Sequence, residues 1–400
     1  MERFTRDGLV FEVADGGPAD ARVAALLLHG FPQDATAWAG VVPALHAAGL
    51  RTLAPHQRGY SPGARPGGRR AYRLEELAAD AIALLDAAGV ERAHVVGHDW
   101  GAGVAWALAA WHHERVASLV ALSTPHPAAF TRAMLGSQAF RSWYMLAFQL
   151  PGLPERAVAG RIGDFYRSTD LPEEHVERYA GRFSRPGELN GPLNWYRALP
   201  FGRRGVGRIR VPTTYVWGRR DPALGRAAAE RTAENVVGDY RFVELDAGHW
   251  LPETHPETVA REILQRVDVR VALARGATAV ADLGDLPEEW LVRETLPQVT
   301  LLAHAALAVS HGGNNSVTEA LTAGVPLVLL PFSTDQFAGA AAIEDAGLGE
   351  ALDPNVAAPS DLRAAAERVL ALGGEPRARL RALVQADPGP LVARRTLAAG

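Results

Sequence analysis

Gly97-His98-Asp99-Trp100-Gly101 joins the apolar run His94-Val95-Val96 to an alanine-rich stretch over residues 102–110, which predicts a sharp turn from a buried strand into a helix. Glycines flank the turn because a side chain at either place would collide with the adjacent strand or helix. The pattern is that of a nucleophile elbow, with aspartate at the position where serine is usual. A carboxylate is already ionised at neutral pH, so Asp99 could attack an alkyl carbon without a base to activate it, which a serine hydroxyl cannot do. Such a role requires partners around Asp99.

Those partners fall at matching places along the chain. Residues 9–13, 23–28, 51–54, 116–122, 213–217 and 241–245 read as strands, and residues 39–48, 75–89 and 102–112 as helices. Strands alternating with helices predict an α/β fold, a doubly wound parallel sheet covered on both faces. Asp99, Asp221 in Gly218-Arg219-Arg220-Asp221-Pro222 and His249 in Asp246-Ala247-Gly248-His249-Trp250 each follow a predicted strand directly. That is the sheet edge where open α/β folds gather their sites, and the chain order is nucleophile, acid, histidine. The strand over 23–28 ends at His29-Gly30-Phe31-Pro32, a tight turn whose Phe31 N–H would form an oxyanion hole with that of Trp100. His98 reads as packing, and His112-His113 as a helix end rather than a metal site.

Composition narrows the remaining classes. A length of 400 residues predicts two or three domains, and 48% hydrophobic with 22% charged residues is ordinary globular material. The 41 basic and 45 acidic residues leave a net charge of -4, too small to point to nucleic acid or an anionic membrane as a partner. Without cysteine the chain has no disulfide, no thiolate nucleophile and no Cys-ligated zinc. No window approaches the length of a membrane span, and residues 1–20 carry charges throughout, so a cytoplasmic protein is the expectation.

From about residue 125 to 200 the pattern changes to aromatic-rich helical pieces broken by prolines, which reads as a lid inserted into the sheet. Two of its segments are Phe148-Gln149-Leu150-Pro151-Gly152, with Tyr144 just upstream, and Leu193-Asn194-Trp195-Tyr196-Arg197. Together with HGFP, GHDWG, GRRD and DAGHW they resemble the epoxide hydrolase branch of the α/β-hydrolase superfamily over about residues 5–266. The resemblance implies an α/β-hydrolase fold with an inserted helical lid, an epoxide and water as reactants, and no cofactor or metal. It also implies roles. Tyr144 and Tyr196 would hydrogen-bond the epoxide oxygen while Asp99 attacks a ring carbon to give an alkyl-enzyme ester. His249, backed by Asp221, would activate water against that ester, the Phe31 and Trp100 amides would hold the oxyanion, and a vicinal diol would leave. Haloalkane dehalogenases share the aspartate elbow and are the alternative, but they commonly carry Asn where this chain has Phe31. Two departures from the family pattern are His56, where Asp is frequent, and His113, where Pro is common.

Beyond a helix over 256–266 the chain changes character. Residues 270–273, 279–281 and 307–310 read as short strands, the last ending in His311-Gly312-Gly313-Asn314-Asn315-Ser316 before a helix that starts near Val317. A glycine-rich turn opening a helix offers N–H groups to a phosphate. The string over 296–336 resembles the donor-binding motif of nucleotide-sugar glycosyltransferases with the two-lobed GT-B fold. By that resemblance His311, Asn315 and Ser316, in the loop that includes Gly313, would meet the diphosphate, Glu319 the ribose, and Asp335 with Gln336 the sugar. Thr295 stands where plant members place a base-stacking tryptophan. The likeness begins near Val269, inside that family's C-terminal lobe, and the acceptor lobe with its catalytic base is missing. Residues 1–268 are thus expected to form the hydrolase. Residues 269–400 would be a partial Rossmann-like lobe, able at most to bind a nucleotide-sugar and idle as a transferase; a second alternative is glycosyltransferase activity of this lobe, which would need another chain to supply an acceptor lobe.

Overall fold

Val23–Leu28, Ala93–His98 and Val116–Leu122 are nearly unbroken apolar runs, and each forms a strand buried on both faces, the signature of a sheet covered by helices on either side. They lie in a computed structural model that describes residues 1–18, 21, 23–267, 272–274, 279, 291–303 and 305–371. Two units separate along the chain, Met1–Val267 and Asp268–Gly400.

The first unit is built on eight strands: β1 (Arg3–Arg6), β2 (Leu9–Gly16), β3 (Val23–Leu28), β4 (Leu50–Pro55), β5 (Ala93–His98), β6 (Val116–Leu122), β7 (Thr213–Gly218) and β8 (Tyr240–Leu245). Their order is β1-β2-β4-β3-β5-β6-β7-β8. From β4 to β8 the pairing is parallel, as expected, but β2 runs antiparallel to both β1 and β4, so the sheet is mixed. Strand β1 escapes a pattern search because only Phe4 of its four residues is buried. Its turn into β2 is Asp7-Gly8 with positive φ at both residues, the backbone that a tight hairpin requires.

Alternation within each strand divides the core in two. Leu26, Leu28, Val95 and Leu119 pack with Leu77, Leu84 and Trp106 from the helices Leu74–Ala87 and Trp100–Trp111. Ala25, Leu27, Val96 and Val120 face the other way, onto Leu45, Val259 and Ile263 of the helices Val42–Ala47 and Pro256–Leu264. Between β6 and β7, residues 127–198 form only helices. In one of them, Glu173–Phe183, the buried residues Val176, Tyr179 and Phe183 recur at helical spacing, and they join the core beside Trp195 and Tyr196. A buried ion pair braces this arrangement. Asp80 accepts from Arg58 through both oxygens at 2.7 Å and from Arg6 at 2.8 Å, while the Arg58 carbonyl accepts from Trp195 Nε1 at 2.8 Å.

In the second unit β9 (Ala272–Ala274) pairs in parallel with β10 (Leu291–Arg293), and β11 (Ala308–Ser310), β12 (Leu327–Leu329) and β13 (Gly349–Ala351) form a parallel sheet in that order. Leu327 and Leu329 pack on Ala320 and Ile343, and Val328 packs on Ala365 and Val369 from the opposite side. Helices therefore cover both faces here too. The helix after His311-Gly312-Gly313 begins at Asn314, three residues before the expected start, because Gly313 is extended and caps it directly. The expected strand over 279–281 lies largely outside the described residues.

Candidate active site

The turn after β5 holds Asp99 at φ 51°, a backbone state that few residues other than glycine adopt. Only glycine fits on either side. A Cβ at Gly97 would stand 2.3 Å from the Gly101 carbonyl oxygen, and one at Gly101 would stand 2.1 Å from that of Leu28. Strain of this kind persists only where packing over-determines it, and here it lifts Asp99 clear of the strand end.

Three strand ends bring the expected triad together. His249 Nδ1 lies 2.7 Å from Asp221 Oδ2, and the other Asp221 oxygen accepts from the Ala223 and Leu224 amides at 2.8 and 3.0 Å. Asp221 is therefore fully engaged and buried. On its far side His249 Nε2 stands 3.6 Å from Asp99 Oδ2, too long for a hydrogen bond but close enough for charge to act. The Phe31 N–H donates to Asp99 Oδ1 at 2.7 Å, and Trp100 opens the helix Trp100–Trp111 at the next residue. Burial alone would lower the basicity of His249, but the Asp221 charge and hydrogen bond, followed by Asp99, push its pKa up to about 10. Burial would raise Asp99, yet His249 and the Phe31 amide hold it below the usual carboxylate range.

Tyr144 opens the short helix Tyr144–Ala147, and Tyr196 lies in Asn190–Ala198. Their rings meet at 6.1 Å, and Tyr196 packs edge-on against Phe31 at 5.1 Å and Trp100 at 5.0 Å. Burial first, then the Asp99 charge, raises the Tyr144 hydroxyl above the ordinary phenol range. Burial, Tyr144 and Asp99 do the same to Tyr196. Both hydroxyls thus stay protonated at neutral pH within reach of the Asp99 field. A cavity of about 390 Å³ opens beside Phe31 and Tyr144, and its lining is almost wholly apolar.

Sequence reasoning missed the layer beneath the triad. His98 does more than pack: its Nε2 meets the His249 carbonyl oxygen at 2.9 Å and its Nδ1 meets Gln33 Oε1 at 2.8 Å. Burial, then the His249 charge, lowers its pKa to about 4. Ser123 donates to the same His249 carbonyl at 2.8 Å. Gln33 accepts from the Gly30 N–H at 3.0 Å and donates to Glu253 Oε1 at 2.6 Å, where the Tyr179 hydroxyl also donates at 2.9 Å. One buried glutamate therefore connects the loop after β3, the elbow, the helical insertion and the turn that carries His249. Its only sequence signal is its place four residues after His249. His112 caps the end of the helix Trp100–Trp111, and His112 and His113 lean on Glu114 at 3.7 and 3.6 Å. The departure at His56 faces Arg182, which also pairs with Asp34 at 2.6 Å.

In the second unit the expected ligand residues cluster at the C-terminal ends of β11 and β12. His311 is exposed directly after β11, Asn315 and Ser316 begin the helix Asn314–Thr322, and Asp335 and Gln336 begin Thr334–Asp345. A Cβ on Gly312 would stand 3.6 Å from the Gln336 Cβ, so the two turns are neighbours. Several of these side chains already have partners. Gln336 Oε1 accepts from the Phe332 and Ser333 amides, Asp335 accepts from the Ser333 hydroxyl at 2.7 Å, and Glu319 accepts from Gln298 at 3.0 Å.

A mixed sheet with a strained Asp elbow after β5, an acid after β7 and a histidine after β8 defines a hydrolase, and residues 25–256 match the family described as the alpha/beta hydrolase fold. The chain belongs to that family. Residues 259–398 match the C-terminal domain of erythromycin biosynthesis protein CIII-like proteins, so the chain joins two families. Epoxide hydrolase A from Mycobacterium tuberculosis is 37% identical over 308 residues, covering 65% of this chain and 94% of that protein. Epoxide hydrolase 4 from Mus musculus is 32% identical over 279 residues, covering 64% of this chain and 76% of that protein. Among solved structures, epoxide hydrolase A from Mycobacterium thermoresistibile superposes with a TM-score of 0.59 at 30% identity over 66% of this chain and 97% of that one. Among the described residues, no helix is long and apolar enough to cross a membrane.

Proposed function

We propose that the first unit opens epoxides to vicinal diols through an alkyl ester on Asp99. One observation carries the reading: the Asp99 carboxylate lies between an amide donor at 2.7 Å and a histidine at 3.6 Å, with two protonated tyrosines in its field. Epoxide hydrolases as relatives support it. Tyr144 and Tyr196 donate to the epoxide oxygen while Asp99 attacks a ring carbon, so the C–O bond that breaks leaves a protonated alcohol rather than a free alkoxide. In the resting enzyme His249 is an imidazolium, and its proton replaces the one that the tyrosines give up.

Esterification removes the negative charge of Asp99. His249 then loses one of the two carboxylates that make it basic, while Asp221 still orients it. Neutral His249 takes a proton from water, the hydroxide adds to the Asp99 carbonyl, and the Phe31 and Trp100 amides hold the oxyanion. Collapse expels the diol and restores Asp99 as a carboxylate beside protonated His249. The proton count closes over the cycle. The helices over 127–198 act as the lid, since they bring both tyrosines.

Purified protein and an Asp99→Asn variant, each given aryl and alkyl epoxides, test the reading by diol formation. Diol from the first and at least a thousandfold less from the second is expected. Halide release from haloalkanes without diol from any epoxide would replace it with dehalogenation on the same Asp99.

We infer that residues 269–400 are a partial donor-binding lobe that binds a nucleotide-sugar diphosphate at most, through the His311 turn, and transfers nothing. The support is the match to the CIII-like C-terminal family and the side-by-side turns at His311 and Gln336. Calorimetry with UDP-sugars, dTDP-sugars and UDP tests it, and no heat from any of them reduces the segment to a structural remnant.

A further inference from the structure

Between β6 and β7 the helical insertion turns large apolar side chains outward. Phe140 is 83% exposed and Leu146 78%, and Trp143, Leu150 and Leu153 are each more than half exposed. Residues 138–150 wind as two short helices, Gln138–Arg141 and Tyr144–Ala147, with turns between and after them. Side chains three or four apart on such a coil share a side, so Phe140, Trp143, Leu146 and Leu150 form a stripe. Trp143, Leu150 and Leu153 also line the cavity beside Phe31 and Tyr144, with Arg161 in the same wall, so stripe and opening are one surface. Exposed apolar surface of this extent marks a place that a partner covers. Its charge has one sign. From Phe140 to Arg161 the charged residues are Arg141, Glu155, Arg156 and Arg161, and Glu155 accepts from the buried Arg197 through both oxygens. Among the described residues, the guanidinium groups of Arg156 and Arg161 have no ion pair or hydrogen bond, and that of Arg141 donates to the uncharged carbonyl oxygens of Asp221 and Pro222.

We propose that this face docks on an anionic lipid surface, with the apolar stripe in the acyl boundary and the three arginines at the headgroup phosphates. Trp, Phe and Leu beside arginine suit a membrane interface, because the rings and alkyl groups leave water while the guanidinium stays at the polar boundary. A second copy of the chain fits the face less well. A two-fold interface centred here would set the patch against itself, and Arg141, Arg156 and Arg161 would meet like charges with no carboxylate to offset them. Phosphate headgroups supply the missing negative charge. The overall charge of -4 does not register such a site, because it averages a local excess of arginine against acidic residues elsewhere. Docking in this manner turns the cavity mouth towards the lipid and does not depend on the reaction at Asp99.

The test is co-flotation of the full-length protein with vesicles of phosphatidylcholine alone or mixed equally with phosphatidylglycerol. Binding to the mixed vesicles is expected to be the tighter and to weaken as salt is raised. An arginine beside an anionic surface strengthens binding about fivefold, so Arg156→Gln/Arg161→Gln should bind the mixed vesicles roughly ten- to thirtyfold less. Phe140→Ser/Leu146→Ser removes two exposed side chains that do not line the cavity and should bind about tenfold less or weaker still. Arg208 and Arg210 are exposed and precede β7, at the sheet edge opposite the helical insertion, so Arg208→Gln/Arg210→Gln makes the same charge change and should leave binding as it was. No flotation of the wild type with either vesicle overturns the proposal, as does equal binding to the two vesicles or a loss as large in Arg208→Gln/Arg210→Gln as in Arg156→Gln/Arg161→Gln. Sedimentation velocity gives the other occupant its chance. A dimer that dissociates in Phe140→Ser/Leu146→Ser, in a protein that ignores both vesicles, overturns the lipid and assigns the face to a second copy.

Discussion

Glu253 holds a proton that the unfolded chain would release. One of its oxygens accepts from Gln33 at 2.6 Å and Tyr179 at 2.9 Å, and the other is buried without a partner among the described residues. Burial is the largest influence and lifts the carboxyl pKa from 4.5 to about 7, against the two hydrogen bonds. Between those values the folded protein binds more protons than the unfolded one, so stability falls as pH rises through the window. Below pH 4.5 both states are protonated and the group contributes nothing; above pH 7 the penalty is complete. At roughly 1.4 kcal/mol per pH unit, most of an expected ~3 kcal/mol penalty develops between pH 5 and pH 8. Glu253→Gln keeps the accepting oxygen and cannot ionise. The wild type should therefore lose ~2–3 kcal/mol relative to the variant over that interval, and other titrating groups, His249 included, cancel in the difference. Urea unfolding followed by tryptophan fluorescence reads it, since eight of the nine tryptophans precede residue 268. A difference between the two proteins that stays constant from pH 5 to pH 8 refutes the reasoning.

Three further outcomes follow from the same geometry. Tyr144→Phe and Tyr196→Phe should each lower kcat for epoxide opening by roughly ten- to a hundredfold, and the double variant by about 10²–10⁴ if both hydroxyls serve one oxygen, which steady-state diol assays measure. In His249→Gln the second half-reaction should stall, so intact-mass spectrometry after mixing with an epoxide should find the protein heavier by one substrate; an unshifted mass counts against the ester. Removing the carboxylate that Arg58 and Arg6 share, as Asp80→Ala, leaves Arg58 buried without its partner and should cost about 3–5 kcal/mol of hydrolase stability in the same urea assay.

Much of the hydrolase was legible because its signals are local. Apolar runs of strand length, a turn between glycines and three titratable residues each placed after a strand need only the sequence on either side of them. Strand β1 carries no such signal, since Arg3-Phe4-Thr5-Arg6 is an edge strand held by its hairpin with β2. The pairing of β2 antiparallel to β4 depends on partners distant in sequence, and so does the layer of Gln33, His98, Ser123 and Glu253. His98 illustrates the difficulty. A histidine in an apolar strand reads as packing, and only the folded chain brings the Gln33 and His249 oxygens to its two nitrogens. In the second unit the loop after β11 announced itself by its glycines, whereas the capping role of Gln336 depends on how the following helix begins.

The central claim is that Asp99, not water, makes the first bond to the substrate. A single turnover with enzyme in excess over epoxide, run in ¹⁸O-water, tests it most directly. The account predicts an unlabelled diol from that first turnover and the heavy oxygen retained in the peptide that contains Asp99. Heavy oxygen in the first diol, with an unlabelled Asp99 peptide, would mean that water attacks the epoxide itself and would contradict the account.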